Sequence, residues 1–370
     1  MVCSRSLMRL FTTLSVVMVV AFAFSVFASS GSGALATGVA GTKSTPRYYQ
    51  FYHDFSATDL AHASLAHWSS SFKSEGKTWT YTMVGTDPSK GSKTTTIPVT
   101  IVPLLMKFSN GMSFDGTQEV STASNSPLFQ DAPFTSGTTQ YGDADLRAEF
   151  WNRIQKKSPN YHVLVGTPTI ANTLTLNIPS ADGATATDPS TGKTIGLVVT
   201  SWLDGQLQSL LTSMHFTPTM LPIFLSYNVF ATVGAPKLSD CCFGGYHNAV
   251  NNQAGLQTYI WSTETDQGIQ GGFSEDVGSL SHEILEWLND PFGNNVVPLW
   301  MSPLIPRPGC SNLLEVGDPL IGVLFTVTGF SSDHLQDVAF FTWFARQKHS
   351  KAINGLYTYL GTFKGLSNKC

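Results

Sequence analysis

From residue 78 onward, short apolar runs alternate with polar breaks, and the period of each run predicts its element. Thr78–Gly85 and Thr94–Phe108 read as strands, separated by a turn around Asp87-Pro88 and Gly91. An aromatic alternation at Arg47-Tyr-Tyr-Gln-Phe-Tyr predicts an earlier strand, where order is expected to begin. Asp143 and an acidic first turn precede apolar positions at helical spacing, so a helix is expected through Ile154. Strands are expected at Tyr161–Thr169 and Thr173–Ile178, then a polar loop through Asp182, Asp188 and Gly192. Ile195–Thr200 predicts a strand that feeds a helix from Trp202 to Met214. Leu221–Val229 is almost wholly apolar, the pattern of a strand covered on both faces.

The chain then changes character. Gln257–Thr263 reads as a strand whose polar residues could face a groove. Ser274-Glu275-Asp276 are expected to open a helix running to Asp290, with Pro291 stopping the turn that follows. Residues 291–312, rich in Pro, Asn and Gly, predict a long irregular loop. Strand Val323–Thr328, a helix from Ser332 to Gln347 and strand Leu356–Phe363 close the expected order. No internal repeat is visible. The mixture predicts an α+β protein: one compact domain over residues 47–370, with a mixed sheet and one helix placed to carry chemistry.

The N-terminal pattern is of another kind. Arg5 and Arg9 precede an apolar stretch from Leu10 to about Ala28, with small-residue exits at Val26-Phe27-Ala28 and Ala34-Leu35-Ala36. This is the plan of a secretory signal peptide, residues 1–36, cleaved after Ala28 or Ala36, with residues 37–46 a flexible lead-in. Its removal takes the formal charge from −4 to −6, and no second apolar stretch is long enough to insert stably in a membrane. Only 12 % of residues are charged, with no basic run, which excludes nucleic acid as a partner. Secretion leaves Cys241, Cys242, Cys310 and Cys370 in an oxidising compartment. The expected pairing joins one of Cys241 and Cys242 to Cys310 and the other to Cys370, because adjacent cysteines make a strained ring.

Chemistry concentrates in one region. Five of the eight glutamates in the chain fall between Glu264 and Glu315, three of them within His282-Glu283-Ile-Leu-Glu286 and Glu315-Val-Gly-Asp318. On a helix, His282 and Glu286 share one face and can hold one cation, while Glu283, turned by about 100°, reaches a water on that cation as general base. Glu315 supplies a third ligand once the loop returns it to the helix, and Asp318 accepts the free ring N–H of His282. Asp290 lies about 12 Å along the helix from His282, too far to share the ion, and reads as a helix-end residue that orients the loop. His247 is a second catalytic candidate, placed to bind substrate or steady an oxyanion, with Tyr246 beside it. Trp261, Trp287 and Trp300 read as core. The expected cofactor is one divalent metal, zinc first, with calcium, manganese or iron as harder alternatives suited to a site with two carboxylates.

Ser281-His-Glu-Ile-Leu-Glu-Trp-Leu-Asn-Asp-Pro-Phe, followed by Gly309-Cys-Ser-Asn-Leu-Leu-Glu-Val-Gly-Asp-Pro, resembles a family of secreted bacterial proteins. The likeness extends through Ser126-Pro-Leu-Phe-Gln, Arg147-Ala-Glu-Phe-Trp, Tyr161-His-Val-Leu and Leu335-Gln-Asp-Val-Ala-Phe-Phe-Thr-Trp-Phe. More distantly the chain is similar to the plant Exordium, or phosphate-induced, extracellular proteins. Their Gly-Phe-His element falls on Gly245-Tyr246-His247, their His-Glu-Ile-x-Glu helix on His282 to Pro291, and their Glu-x-x-Asp on Glu315 to Asp318. The family implies an extracellular setting without an established reaction. Locally, the helix and later Glu resemble zinc peptidases of the thermolysin type, with Glu286 where those carry a second His. That likeness implies a secreted metal-dependent hydrolase acting on a peptide or protein. The alternative is a non-catalytic extracellular binding or signalling protein with a structural ion or none.

Overall fold

The computed structural model describes residues 53–304, 309–350, 356–366 and 368–370. The expected signal peptide, lead-in and first aromatic strand lie outside the described residues. Among those described, no helix is long and apolar enough to cross a membrane.

The chain begins with a hairpin, β1 (His67–Ser74) and β2 (Lys77–Val84), and continues into the long strand β3 (Val99–Phe108). Helices α1 (Tyr141–Glu149) and α2 (Trp151–Lys157) follow, then β4 (Leu174–Ile178), β5 (Gly183–Thr187), β6 (Thr194–Val199) and helix α3 (Thr200–Ser213). Next come β7 (Leu221–Tyr227), β8 (Val229–Thr232), β9 (Cys241–Phe243), β10 (Gly245–Asn252) and β11 (Gly255–Glu264). Helix α4 (Gly278–Asn289), β12 (Val296–Met301) and β13 (Phe330–Gln336) complete the set used below. The architecture is mixed α+β, as the apolar patterning implies.

The principal sheet runs β4-β3-β7-β11-β10. Along this order the pairings are parallel except the last, β10 on β11, which is antiparallel. Alternation along the strands sends residues to opposite faces. Val102, Leu104 and Met106 of β3 pack with Leu203, Leu207 and Leu211 of α3. Ile101, Ile223 and Ile260 face Leu280, Ile284 and Leu288 of α4 on the other side. A sheet buried by helices on both faces needs apolar side chains at consecutive positions, which is why Leu221–Val229 carries so few polar ones. A second sheet, β5-β6-β8-β9, ends on β9, whose residues lead within one glycine into β10.

Several expectations fail where tertiary pairing overrides local pattern. The polar stretch expected as a loop near Asp182 contains β5, recruited by antiparallel pairing with β6. The irregular loop expected at 291–312 contains β12, whose ladder breaks between Val296 and Trp300, the interval that holds Pro298. The helix expected at Ser332–Gln347 is instead β13, paired with Leu324–Val327, and only Phe341–Phe344 is helical. The strand expected at Leu356–Phe363 reduces, among described residues, to a single bridge from Thr358 to Ala339. The helix expected from Asp143 begins at Tyr141 and breaks at Phe150, and Asp143 serves as acceptor for the Val163 N–H (2.7 Å). Helix α4 starts at Gly278, because Asp276 sits at φ +38° and accepts from the His334 N–H (2.7 Å).

The cysteines also pair otherwise than expected. Cys241 bonds its neighbour Cys242, and Cys310 bonds Cys370. Trp300 of β12 pairs with Ser311 on one side and Lys369 on the other. The neighbouring residues Cys310 and Cys370 have Cα atoms 5.9 Å apart, inside the normal span of a disulfide.

Candidate metal centre

Helix α4 presents His282 and Glu286 one turn apart, with His282 Nε2 3.0 Å from Glu286 Oε1. Its apolar side is held by the core, so these two and Glu283 are left facing away from the packed interior. Strand β10, the edge of the principal sheet, runs beside them and brings His247 Nδ1 to 3.6 Å from Glu283 Oε2 and 3.7 Å from Glu286 Oε2. The approach requires a glycine at 245, since a Cβ there would lie 2.6 Å from Glu283 Cγ. From the third side comes the segment after Leu313. The N–H groups of Gly317 and Asp318 donate to Glu286 Oε1 at 3.1 and 3.3 Å. Gly317 is the second necessary glycine, its absent Cβ leaving room for His282 Nδ1, 2.6 Å away.

Two overlapping groups of ligand atoms result. His247, Glu286 and Glu315 each offer an atom within 4.8 Å of the others, and so do His282, Glu286 and Asp318. Of the expected trio of His282, Glu286 and Glu315, the structure brings Glu286 and Glu315 together about His247 and groups His282 with Glu286 and Asp318. The reason lies in the orientation of the His282 ring. Gln336 donates through Nε2 to the Gly317 carbonyl (2.8 Å), which turns its Oε1 toward His282 Nδ1 (3.1 Å). The other ring nitrogen is thereby aimed at Glu286 and at Asp318 Oδ1, 3.7 Å away. Gln336 takes the outer role expected of Asp318, and Asp318 joins the inner groups.

Asp290 ends the helix as expected. Its carboxylate accepts the Asn294 and Asn295 N–H groups at 3.0 and 2.9 Å and shapes the turn into β12. Burial pushes its carboxyl up to about 6. It belongs to neither ligand group. Gln336 was hidden from the sequence because its stretch reads as a helix. His247 is expected from the sequence to bind substrate or steady an oxyanion; its place beside Glu286 depends on β10, which no local spacing shows.

The electrostatics of the cluster are severe. Burial pushes Glu283 up to about 7, partly offset by the His282 ring. Glu286 stands well above the ordinary carboxyl range through burial and then through Asp318 and Glu283. Glu315 does so through burial and then Glu286. Neither Lys nor Arg lines the cleft among the described residues. Two buried atoms, His247 Nε2 and Glu315 Oε2, find no hydrogen-bond partner among the described residues, and it is the other His247 nitrogen, Nδ1, that faces Glu286. An orphaned acceptor in a dry site costs about 1–3 kcal/mol, more when charged, and a bound cation would satisfy Glu315 Oε2. The donor set of imidazole and carboxylates fits zinc, and also manganese or iron.

The cluster forms the floor of a cleft of about 520 Å³. Around it stand apolar residues, among them Val233, the Cys241–Cys242 pair, Phe243, Phe273 and Ile321, with Asp240, Ser274 and Ser279 between them. Glu283, 5 % exposed, lies on the floor beside both ligand groups. No family model matches the chain, and comparison with curated proteins and with solved structures finds no match to either.

Proposed function

We propose that the protein is a secreted metal-dependent hydrolase of peptidase type, with a divalent cation, zinc first, held by His247, Glu286 and Glu315. The observation that carries this reading is the convergence of ligand atoms from His247, Glu286 and Glu315 in a cleft, with Glu315 Oε2 buried and without a hydrogen-bond partner among the described residues. When bound, the ion would polarise a substrate carbonyl and acidify a water. Glu283 would take a proton from that water as its oxygen adds to the carbonyl carbon. The same carboxyl would then give the proton to the departing amide nitrogen as the C–N bond breaks. The His247 backbone N–H, which Glu283 accepts, fixes the carboxylate against β10. The apolar residues around the cleft suit an uncharged side chain of a peptide next to the scissile bond. The likeness to Exordium proteins supports the extracellular setting.

The test is a peptide-library digest with the wild type, a chelated sample and Glu283→Gln. Cleavage that disappears on chelation, returns with zinc and is lost in Glu283→Gln is the expected result. A full complement of metal in the wild type with no cleavage by it would favour the second reading. That reading is a non-catalytic extracellular binding protein with a closed structural ion, and it draws on the same burial, His247, Glu283, Glu286 and Glu315 all being 4–7 % exposed.

A further inference from the structure

We infer that the Cys241–Cys242 disulfide is a redox-modification site of the cleft: small thiols open it to two cysteine thiols, and the opening loosens the strand junction that sets His247 and Glu283 side by side. Its effect on an ion rests on the reading that His247, Glu286 and Glu315 hold one, whereas the opening and the loosening do not.

The pair is within reach and firmly backed. Both cysteines line the cleft and are half-buried, so a small thiol that enters the cleft meets sulfur. Behind them lies a small apolar cluster of Ile195, Leu197, Phe230 and Ile269. From one side Gln270 Nε2 approaches Cys242 Sγ at 3.7 Å, and the Gln270 N–H donates to the buried Asp188 carboxylate at 3.0 Å.

The bond also sits where β9 is weakest. That strand meets β8 at two register pairs, Ala231 with Phe243 and Thr232 with Cys241, and Cys242 is the extra residue between them. An extra residue in an antiparallel ladder has no partner of its own, and it redirects the chain that follows. The covalent tie between Cys242 and its neighbour fixes a residue that the ladder does not.

The cleft depends on the chain that follows. The Thr263 N–H donates to the Gly244 carbonyl at 2.7 Å. A Cβ at Gly244 would strike Ser279 Oγ, and one at Gly245 would lie 2.6 Å from Glu283 Cγ, so this stretch lies against α4 with no slack. His247 comes two residues later, its Nδ1 3.7 Å from Glu286 Oε2. Phe243 and Gly244 alone separate Cys242 from Gly245, and a shift of β9 therefore reaches the Glu283 contact directly.

The two disulfides differ in what they do for the fold. A disulfide stabilises chiefly by closing a loop in the unfolded chain, more so for a longer loop. Cys310 and Cys370 are 60 residues apart, whereas Cys241 and Cys242 are adjacent and close no loop. Opening the adjacent pair is therefore a local event, felt along the cleft while the rest of the fold stands.

The step is thiol–disulfide exchange. The thiolate of a small thiol attacks one sulfur, the S–S bond breaks, and the other cysteine departs as a thiolate that takes up a proton. A second small thiol attacks the mixed disulfide and frees the first cysteine. Two electrons pass to the protein, and the two small thiols leave joined as their own disulfide. The reverse exchange closes the pair again.

The experiment takes the full exported chain, freed of metal by chelator, with and without treatment by reduced glutathione followed by desalting under argon. Differential alkylation read by mass spectrometry identifies the cysteines that open. Hydrogen exchange follows the amides of residues 241–247, and titration with Mn²⁺ alone, read by electron paramagnetic resonance, gives the affinity for an ion. After treatment, Cys241 and Cys242 should be alkylated and protection across 241–247 lost, with α1 still protected. Mn²⁺ should bind about 10- to 100-fold more weakly, and oxidised glutathione should restore all three readings. Cys241→Ser/Cys242→Ser should lack that protection from the start and show no response to glutathione; should it fail to fold, the alkylation map of the wild type makes the assignment. A pair that stays closed overturns the site. A pair that opens while protection, or the affinity for Mn²⁺ that binds, is unchanged overturns the coupling to the cleft. Opening with lost protection and no Mn²⁺ bound in either form supports the redox site and overturns the ion centre.

Discussion

Helices α1 and α4 are both buried, both carry acidic residues, and they pack within the same core cluster, yet they put their carboxylates to different ends. On α1, Asp143 is consumed by structure: it accepts the Val163 N–H at 2.7 Å, the Thr139 hydroxyl at 2.8 Å and His162 Nδ1 at 2.8 Å. Glu149 accepts the Phe341 N–H. Asp145 is held well above the ordinary carboxyl range by burial and then by Asp337, with an Asn289 side chain as its hydrogen-bond partner. None of these acids joins a ligand group. On α4, Glu286 faces two histidines and Glu283 faces one, and a third strand of chain supplies Glu315 and Asp318. Burial alone, then, raises a carboxyl; convergence with imidazoles in a cleft makes a candidate site.

The sharpest way to break this comparison is to neutralise one acid on each helix. Glu283→Gln should lower turnover by about 10²–10⁴-fold with the metal retained, and Glu149→Gln should leave turnover alone. Equal losses in steady-state assays would abolish the distinction. Gly245→Ala comes next. Its Cβ would push Glu283 away from the ion site, and a displacement of this kind costs on the order of 10²-fold in turnover while metal content stays constant. Gln336→Ala frees His282, which faces the Glu286 ligand at 3.0 Å, and should weaken metal binding roughly 10- to 100-fold, measured by competition with a chromophoric chelator.

Smaller effects sharpen the α1 side. A carboxyl raised by burial keeps its proton in the folded chain over a pH range where the unfolded chain has lost it. The stability it confers is therefore full at low pH and is lost as pH rises through the raised value. Asp145→Asn lacks that loss. In denaturant melts above the ordinary carboxyl range, wild type should fall relative to Asp145→Asn by about 1.4 kcal/mol per pH unit until Asp145 ionises. A flat difference would mean that Asp145 is already charged. Last, Tyr141→Phe removes a buried hydrogen bond to the Gln336 carbonyl (2.6 Å) and should cost about 1 kcal/mol without changing metal content.

What could be read in advance follows the range of the forces involved. His282, Glu283 and Glu286 were legible because helical spacing is a local property, and their placement on one helix needs no knowledge of the rest. Strands β3 and β7 were legible because burial on both faces leaves a continuous apolar record. His247 as ligand and Gln336 as its counterpart's anchor were not, because each depends on a pairing across many residues: β10 on β11, and β13 on the strand before it. The vicinal Cys241–Cys242 pair was missed for a related reason. Strain counts against a ring of adjacent cysteines, whereas the long-range Cys310–Cys370 bond leaves the other two only each other.

The Cys310–Cys370 bond has a consequence for wear. It encloses Glu315, Asp318 and Gln336 but excludes His247, His282 and Glu286, so the ligand set is divided between a covalently closed segment and the chain before it. A protease that cuts once anywhere between Cys310 and Cys370 leaves both fragments tethered, and the enclosed acids remain attached to the fold that needs them. One cut is survivable while the sulfurs stay oxidised; the same cut followed by reduction detaches everything beyond it. A nicked molecule thus turns the redox state of its surroundings into the term that sets its lifetime.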